Sequence, residues 1–190
     1  MKRKRPKLSS LLFAAFIVLL LIPQTRRPIQ VALNQAKLWV WSPSALDMED
    51  QTELAPFTYL LSDLDGTSQR MDIGTGKVTF ISYWATWCPP CIAELPSIDE
   101  LYADYGHQVD FILLTQEDPE VVSNFLQKKG LDLPVFIPQM RAPEQLYSRS
   151  IPTNYLIDGT GKILIKETGA ADWNSTRVRA ILDGLLPNKS

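Results

Sequence analysis

Both cysteines of this 190-residue chain lie in one short stretch, YWATWCPPCIAELP, residues 83–96. Two residues separate Cys88 from Cys91. That spacing suits a redox dithiol, half of a metal site or a plain structural disulfide. A structural zinc site needs four ligands. The chain has no second cysteine pair, and its one histidine, His107, sits in the loop-like string YGHQ. No metal is expected. A purely structural staple would close a very short loop and remove little entropy from the unfolded chain. The redox use is favoured by position. Cys88 falls where a strand-like apolar run gives way to a helical pattern, so backbone N–H groups are unpaired beside it and the helix dipole favours negative charge. A thiolate is stabilised at such a place. Cys91, one turn further in, is expected to be less exposed and able to attack a mixed disulfide formed by Cys88. Pro89 and Pro90 remove N–H donors between them and stiffen the loop.

The elements that must hold this pair can be read along the chain. FTYLLSDLDGTSQRM predicts a strand or hairpin around the turn dipeptide Asp65-Gly66. VTFISYW is apolar on both faces, as a central buried strand would be. Cys88 to about Tyr105 has helical character, with Ile92, Leu95, Ile98, Leu101 and Tyr102 on one side. VDFILLT predicts another buried strand, and PEVVSNFLQKKG a helix opened by Pro119 and closed by Gly130. LPVFIP follows as a short strand and PEQLYSRS as a helical turn. PTNYLID and KILIKET flank Gly159-Thr160-Gly161 as an antiparallel hairpin. A last helix is expected in DWNSTRVRAILDGLL, capped by Asn174 or Ser175. Alternating strands and helices with a late hairpin imply an α/β sandwich with a mixed sheet.

Composition bounds the surroundings. Apolar residues make up 45% of the chain, enough for a packed core, and the formal charge of −2 gives no argument for nucleic-acid binding. Local charge matters more. MKRKRPK precedes the uncharged run LLFAAFIVLLLI, which stops at Pro23. A basic start followed by such a run is a secretory signal or a signal anchor. The sequence after it, PQTRRP, lacks the small residues of a cleavage site, which favours an uncleaved anchor. The expected division is a basic cytoplasmic end at 1–7, a membrane anchor at 8–23, a juxtamembrane linker at 24–52 and a globular domain at 53–190. Trp39 and Trp41 in the linker suit either the lipid headgroups or packing on the domain. The far side of a bacterial membrane is oxidising, so the cysteine pair is expected as a disulfide there.

FISYWATWCPPC, with AELP directly after it and IPTNYLIDGTGKI at 151–163, resembles the thioredoxin superfamily. With the N-terminal apolar run, it is most similar to the TlpA/ResA-like membrane-anchored thiol–disulfide oxidoreductases. The resemblance covers about residues 56–186. It implies a thioredoxin-like three-layer α/β/α sandwich with a mixed central sheet, preceded by a transmembrane helix. It also implies that Pro152 is a cis-proline beside the cysteines, with Ile151 touching both the sulfur and a partner chain. In that family an acid at the position of Glu94 lies near the cysteines and couples to their protons. The buried acid that cytosolic thioredoxins carry six residues before the first cysteine is replaced here by Ser82. Proton handling is therefore expected to shift to Glu94.

The implied function is extracytoplasmic thiol–disulfide exchange, in the reducing direction. Cys88 is the nucleophile, Cys91 the resolving thiol and Glu94 the proton acceptor. Trp87, Pro89, Pro90, Ile151 and Pro152 form the partner-facing surface. No cofactor is expected. The expected partners are disulfide-containing periplasmic proteins, a membrane electron donor for re-reduction and the lipid bilayer, in a single-pass protein of a bacterial inner membrane whose catalytic domain faces the periplasm. Two alternatives stay open: an oxidant or isomerase of the same fold, and a non-catalytic binding or copper-handling factor. A thiol peroxidase is disfavoured because the P-x-x-x-T-x-x-C pattern is absent.

Overall fold

A computed structural model of the protein describes Ser9, Leu12, Phe13 and residues 23–187. Most of the expected anchor therefore lies outside the described residues. Among those described, no helix is long and apolar enough to cross a membrane.

The chain order is α1 (Pro23–Leu38), β1 (Phe57–Asp63), β2 (Ser68–Ile73), β3 (Thr79–Tyr83), α2 (Pro89–Tyr105), β4 (Asp110–Leu114), α3 (Pro119–Lys129), β5 (Val135–Pro138), a 3-10 turn (Glu144–Leu146), β6 (Thr153–Ile157), β7 (Ile163–Thr168) and α4 (Thr176–Leu185). The strands form one seven-stranded sheet in the order β2-β1-β5-β4-β3-β6-β7. β3 pairs in parallel with β4 and antiparallel with β6, so the sheet is mixed. The fold is α/β with a mixed central sheet, as expected.

Local chemistry explains the elements. β1 and β2 make a hairpin whose turn is held by Asp63, which accepts N–H bonds from Asp65 and Thr67 at 3.1 and 2.8 Å. Apolar residues fill both faces of β3 and β4, and every residue of β6 is buried, because all three strands are covered on two sides. α2 buries Cys91, Leu95, Ile98, Leu101 and Tyr105, spaced to one helix face. Asp118 caps α3 by accepting from the Glu120 N–H, and Gly130 ends it in the left-handed region at φ 67°. Ser175, rather than Asn174, caps α4 by accepting from the Val178 N–H.

The layer arrangement differs from the expected helix–sheet–helix sandwich. Side chains of α2, α3 and α4 all enter one core, with Phe80, Phe111, Leu113, Val135 and Leu156 from the sheet. The other face carries Tyr59, Ile81, Ile112, Phe136 and Tyr155 and is closed by Leu46 and Leu54 from extended segments and by Leu146 from the short 3-10 turn. The strand order gives the reason. β3, β4 and β5 step in one direction across the sheet, and parallel crossovers are right-handed, so α2 and α3 must lie on the same face.

The segment before β1 is laced to β7. The N–H groups of Leu46 and Leu54 donate to Leu164 and Gly161 at 2.7 and 2.8 Å, and Ile163 donates to Thr52 at 2.9 Å. Trp41 donates from its indole nitrogen to Glu167 at 3.1 Å, whereas Trp39 is 90% exposed. α1 packs against α2, with Ile29, Asn34 and Leu38 half-buried along one side.

Gly161 is the tightest point of this lacing. Its φ is 97°, and a Cβ there would meet the Leu54 carbonyl oxygen at 2.5 Å. Gly161→Ala is expected to destabilise the protein by about 2 kcal/mol or more, through strained backbone and the lost approach of Leu54. Urea unfolding of the oxidised protein would show this as a lower midpoint with an unchanged slope.

Candidate active site

β3 ends at Tyr83 and the chain turns through Trp84–Trp87 into α2. Cys88 is the N-cap residue of that helix. Its sulfur accepts from the Cys91 N–H at 3.3 Å. Pro89 and Pro90 occupy the first helical positions and have no N–H, so the Cys91 amide is the first backbone donor the helix offers. The Cys88 carbonyl accepts from Ile92 and its N–H donates to Ala85, at 3.0 and 3.2 Å. Cys88 and Cys91 are joined in a disulfide. Both are buried, Cys88 with 3% of its surface exposed and Cys91 with none.

The other expected residues surround the pair. Trp87 stands out of the surface, 56% exposed, next to Cys88. Trp84 is instead a core residue, its ring tilted against Phe125. Pro89 and Pro90 are half-buried. The Ile151–Pro152 bond is cis, as the resemblance implies. Pro152 is buried and its carbonyl accepts from the Gly169 N–H at 2.9 Å. Ile151 is half-buried and packs on the core cluster that contains both cysteines.

Glu94 lies three residues after Cys91 on α2, a spacing that keeps both on one side of the helix. It is 1% exposed. One carboxyl oxygen accepts from Asn154 Nδ2 at 2.9 Å and the other from the Ala171 N–H at 3.2 Å. Burial pushes the carboxyl pKa up to about 8, against the lowering effect of these hydrogen bonds. The group thus keeps its proton through most of the neutral range. Asn154 Oδ1 has no hydrogen-bond partner. A protonated Glu94 carries an O–H donor, which that oxygen can receive once the amide is turned. Ser82 stands directly opposite Asn154 in the β3–β6 register and is fully buried. The place of the strand acid is therefore taken by a neutral hydroxyl beside the Glu94–Asn154 pair.

The sequence reading missed two contributors. Asn154 had one visible signal, an amide within the mostly apolar strand TNYLI. Glu117 had none. Its carboxylate accepts from the Thr86 N–H at 2.6 Å, the Thr86 hydroxyl at 2.7 Å and the Thr115 hydroxyl at 3.4 Å. It thereby ties the loop after β4 to the loop that carries Trp87 and Cys88.

Proteins similar to this chain are known. The thiol-disulfide oxidoreductase ResA of Halalkalibacterium halodurans is 35% identical over 114 residues, 58% of this chain and 65% of that protein. The ResA of Geobacillus thermodenitrificans is 35% identical over 108 residues, 55% of this chain and 62% of that one. The matched stretch thus spans less than two thirds of these relatives. The crystal structure of a DsbF homologue from Corynebacterium diphtheriae shares the fold at 16% identity, with a TM-score of 0.57 over 76% of this chain and 93% of that one. Residues 49–183 match the family model described as Redoxin. That stretch holds the disulfide, Glu94, Asn154 and the cis-proline together, and the chain belongs to the Redoxin family.

Proposed function

We propose that the protein is an extracytoplasmic thiol–disulfide oxidoreductase that reduces disulfides of partner proteins. The observation that carries the reading is the Cys88–Cys91 disulfide at the mouth of α2, with a backbone N–H aimed at the Cys88 sulfur. In the reduced protein, the Cys88 thiolate attacks one sulfur of a partner disulfide. That S–S bond breaks, a mixed disulfide forms and the partner's other sulfur leaves as a thiolate. Cys91 then gives up its proton and attacks the Cys88 sulfur. The mixed disulfide breaks, the second partner thiolate leaves, and the electron pair has moved from the protein to the partner. The protein ends as the disulfide, and a dithiol donor at the membrane restores it by the reverse exchange.

Glu94 takes the Cys91 proton in its ionised form, a minor fraction below about pH 8 that grows as pH rises toward it. A carboxyl with a pKa of about 8 lies close to the range of a thiol, and proton exchange between groups of matched pKa costs little. Ser82 cannot fill this role, since a hydroxyl does not ionise at neutral pH. Trp87, Pro89, Pro90, Ile151 and Pro152 form the surface on which the partner chain lies. Trp87 is the exposed ring of that surface, and the cis-proline loop sets Ile151 beside it.

The location belongs to the same proposal. The basic residues 1–7 stay cytoplasmic, 8–23 anchor the chain, 24–52 connect and 53–190 form the working domain on the periplasmic face. The basic run ahead of the uncharged segment supports this orientation. The full chain is expected in the membrane fraction of expressing cells and a chain of residues 24–190 in the soluble fraction. Recovery of the full chain in the soluble fraction would remove the anchor.

Cys88→Ser is expected to abolish disulfide reduction in an insulin-reduction assay, while Cys91→Ser accumulates a mixed disulfide visible on non-reducing gels. Full activity of Cys88→Ser would end the redox reading, and trapping through Cys91 instead of Cys88 would reverse the order of attack.

The raised pKa of Glu94 also ties stability to pH. Between about pH 4.5, where the unfolded carboxyl titrates, and about pH 8, where the folded one does, the folded state holds the extra proton. Stability therefore falls as pH rises through that window. Glu94→Gln is expected to flatten this slope in urea unfolding between pH 5 and pH 8. It is also expected to slow release of the mixed disulfide by about tenfold or more. An unchanged slope would mean that Glu94 is ionised in the folded protein at neutral pH.

A further inference from the structure

A cavity of about 340 Å³ opens beside the Trp84–Trp87 loop that leads into Cys88. Its walls include Trp84, Trp87, Glu117 and Ile151. Trp87 and Ile151 both belong to the partner-facing surface assigned above, so a chain that reaches Cys88 passes its mouth. The volume suits one large side chain.

The chemistry of the walls selects the kind of side chain. Glu117 is half-buried and takes part in neither ion pair of the described residues, which join Lys77 to Asp110 and Arg179 to Asp104. Its carboxylate receives only neutral donors, from Thr86 and Thr115. These bonds fix the group in place while leaving its charge uncompensated. Two indole rings stand in the same cavity, and a ring face attracts a cation. Trp84 lies deep in the wall, 3% exposed, while Trp87 stands at the rim. A fixed carboxylate and aromatic walls match a peptide that carries a basic side chain.

The space continues beyond this pocket. A second cavity, of about 860 Å³, shares Tyr83, Gln116, Pro138 and Ser148 with the first. Together they make a track for an extended segment leading away from Cys88, which supports a protein chain as the occupant.

We infer that this cavity is a partner-recognition subsite that receives a lysine or arginine side chain carried next to the partner's reactive cysteine. The inference rests on the thiol–disulfide reading of the site and adds a preference among substrates to it. Glu117 acts here twice. It positions the loop of Trp87 through Thr86, and it presents negative charge to the partner.

The test uses disulfide-bonded peptides that differ only in one residue flanking the cysteine: lysine, glutamine or glutamate. Each is offered to the reduced protein, and kcat/KM is measured at low and high salt. The expected result is a lysine-over-glutamate preference of about five- to tenfold at low salt, shrinking as ionic strength rises. Glu117→Gln keeps acceptor and donor atoms for the two threonines and is expected to abolish most of that preference. Glu120→Gln removes the same charge from the exposed start of α3, outside the cavity, and is expected to retain it. Equal rates for the lysine and glutamate peptides in the unaltered protein would overturn the inference alone, as would a preference that survives Glu117→Gln. Failure to reduce even the glutamine peptide would overturn the oxidoreductase reading with it.

Discussion

The junction between β3 and α2 is the constraint on which the site depends. A strand buried on both faces has to end, and a helix has to begin, within the few residues from Trp84 to Cys88. The first turn of any helix leaves N–H groups without partners. Here Pro89 and Pro90 remove two of them, and the Cys91 N–H turns to the Cys88 sulfur. The sulfur thus does the work of a capping oxygen. It is held in place by that bond, so the residue that caps the helix is also one half of the disulfide. The cis-proline loop and the Thr86–Glu117 contacts fix the two flanks of this junction.

Around it, the same helix serves two environments. Toward the sheet, α2 presents Leu95, Ile98 and Leu101 to a core that also receives Trp173, set edge-on against Phe80 at 4.9 Å. Between those apolar contacts it buries one carboxyl. A carboxylate could not be placed there without strong compensation. Two N–H donors and a retained proton make the burial tolerable.

Much of this was legible in the sequence, because the signals were local. The Cys88–Cys91 spacing, the apolar run of β3, the Pro119 and Gly130 ends of α3 and the β6–β7 hairpin each follow from a few neighbouring residues. The cis form of Pro152 came through resemblance, since proline alone does not select it. What was not legible depends on distant backbone. The helices share one face because successive crossovers have one hand, a property of strand order and not of any residue type. Glu94 is held partly by the amide of Ala171, and a backbone N–H has no sequence signature. Glu117 reaches Thr86 across a gap of 31 positions in the chain, and nothing in the string QED announces it.

The lacing of residues 41–54 along β7 has a consequence for the sheet as a whole. β7 is an outer strand, and the unpaired ladder of an outer strand is a template on which a second sheet can grow. The bonds of Leu46 to Leu164 and of Ile163 to Thr52 occupy part of that ladder from within the chain. At the opposite border, β2 carries Arg70 and Asp72 in the exposed strand SQRMDI. One border is therefore shielded by a strip of the protein's own backbone and the other by charge, which together oppose edge-to-edge aggregation.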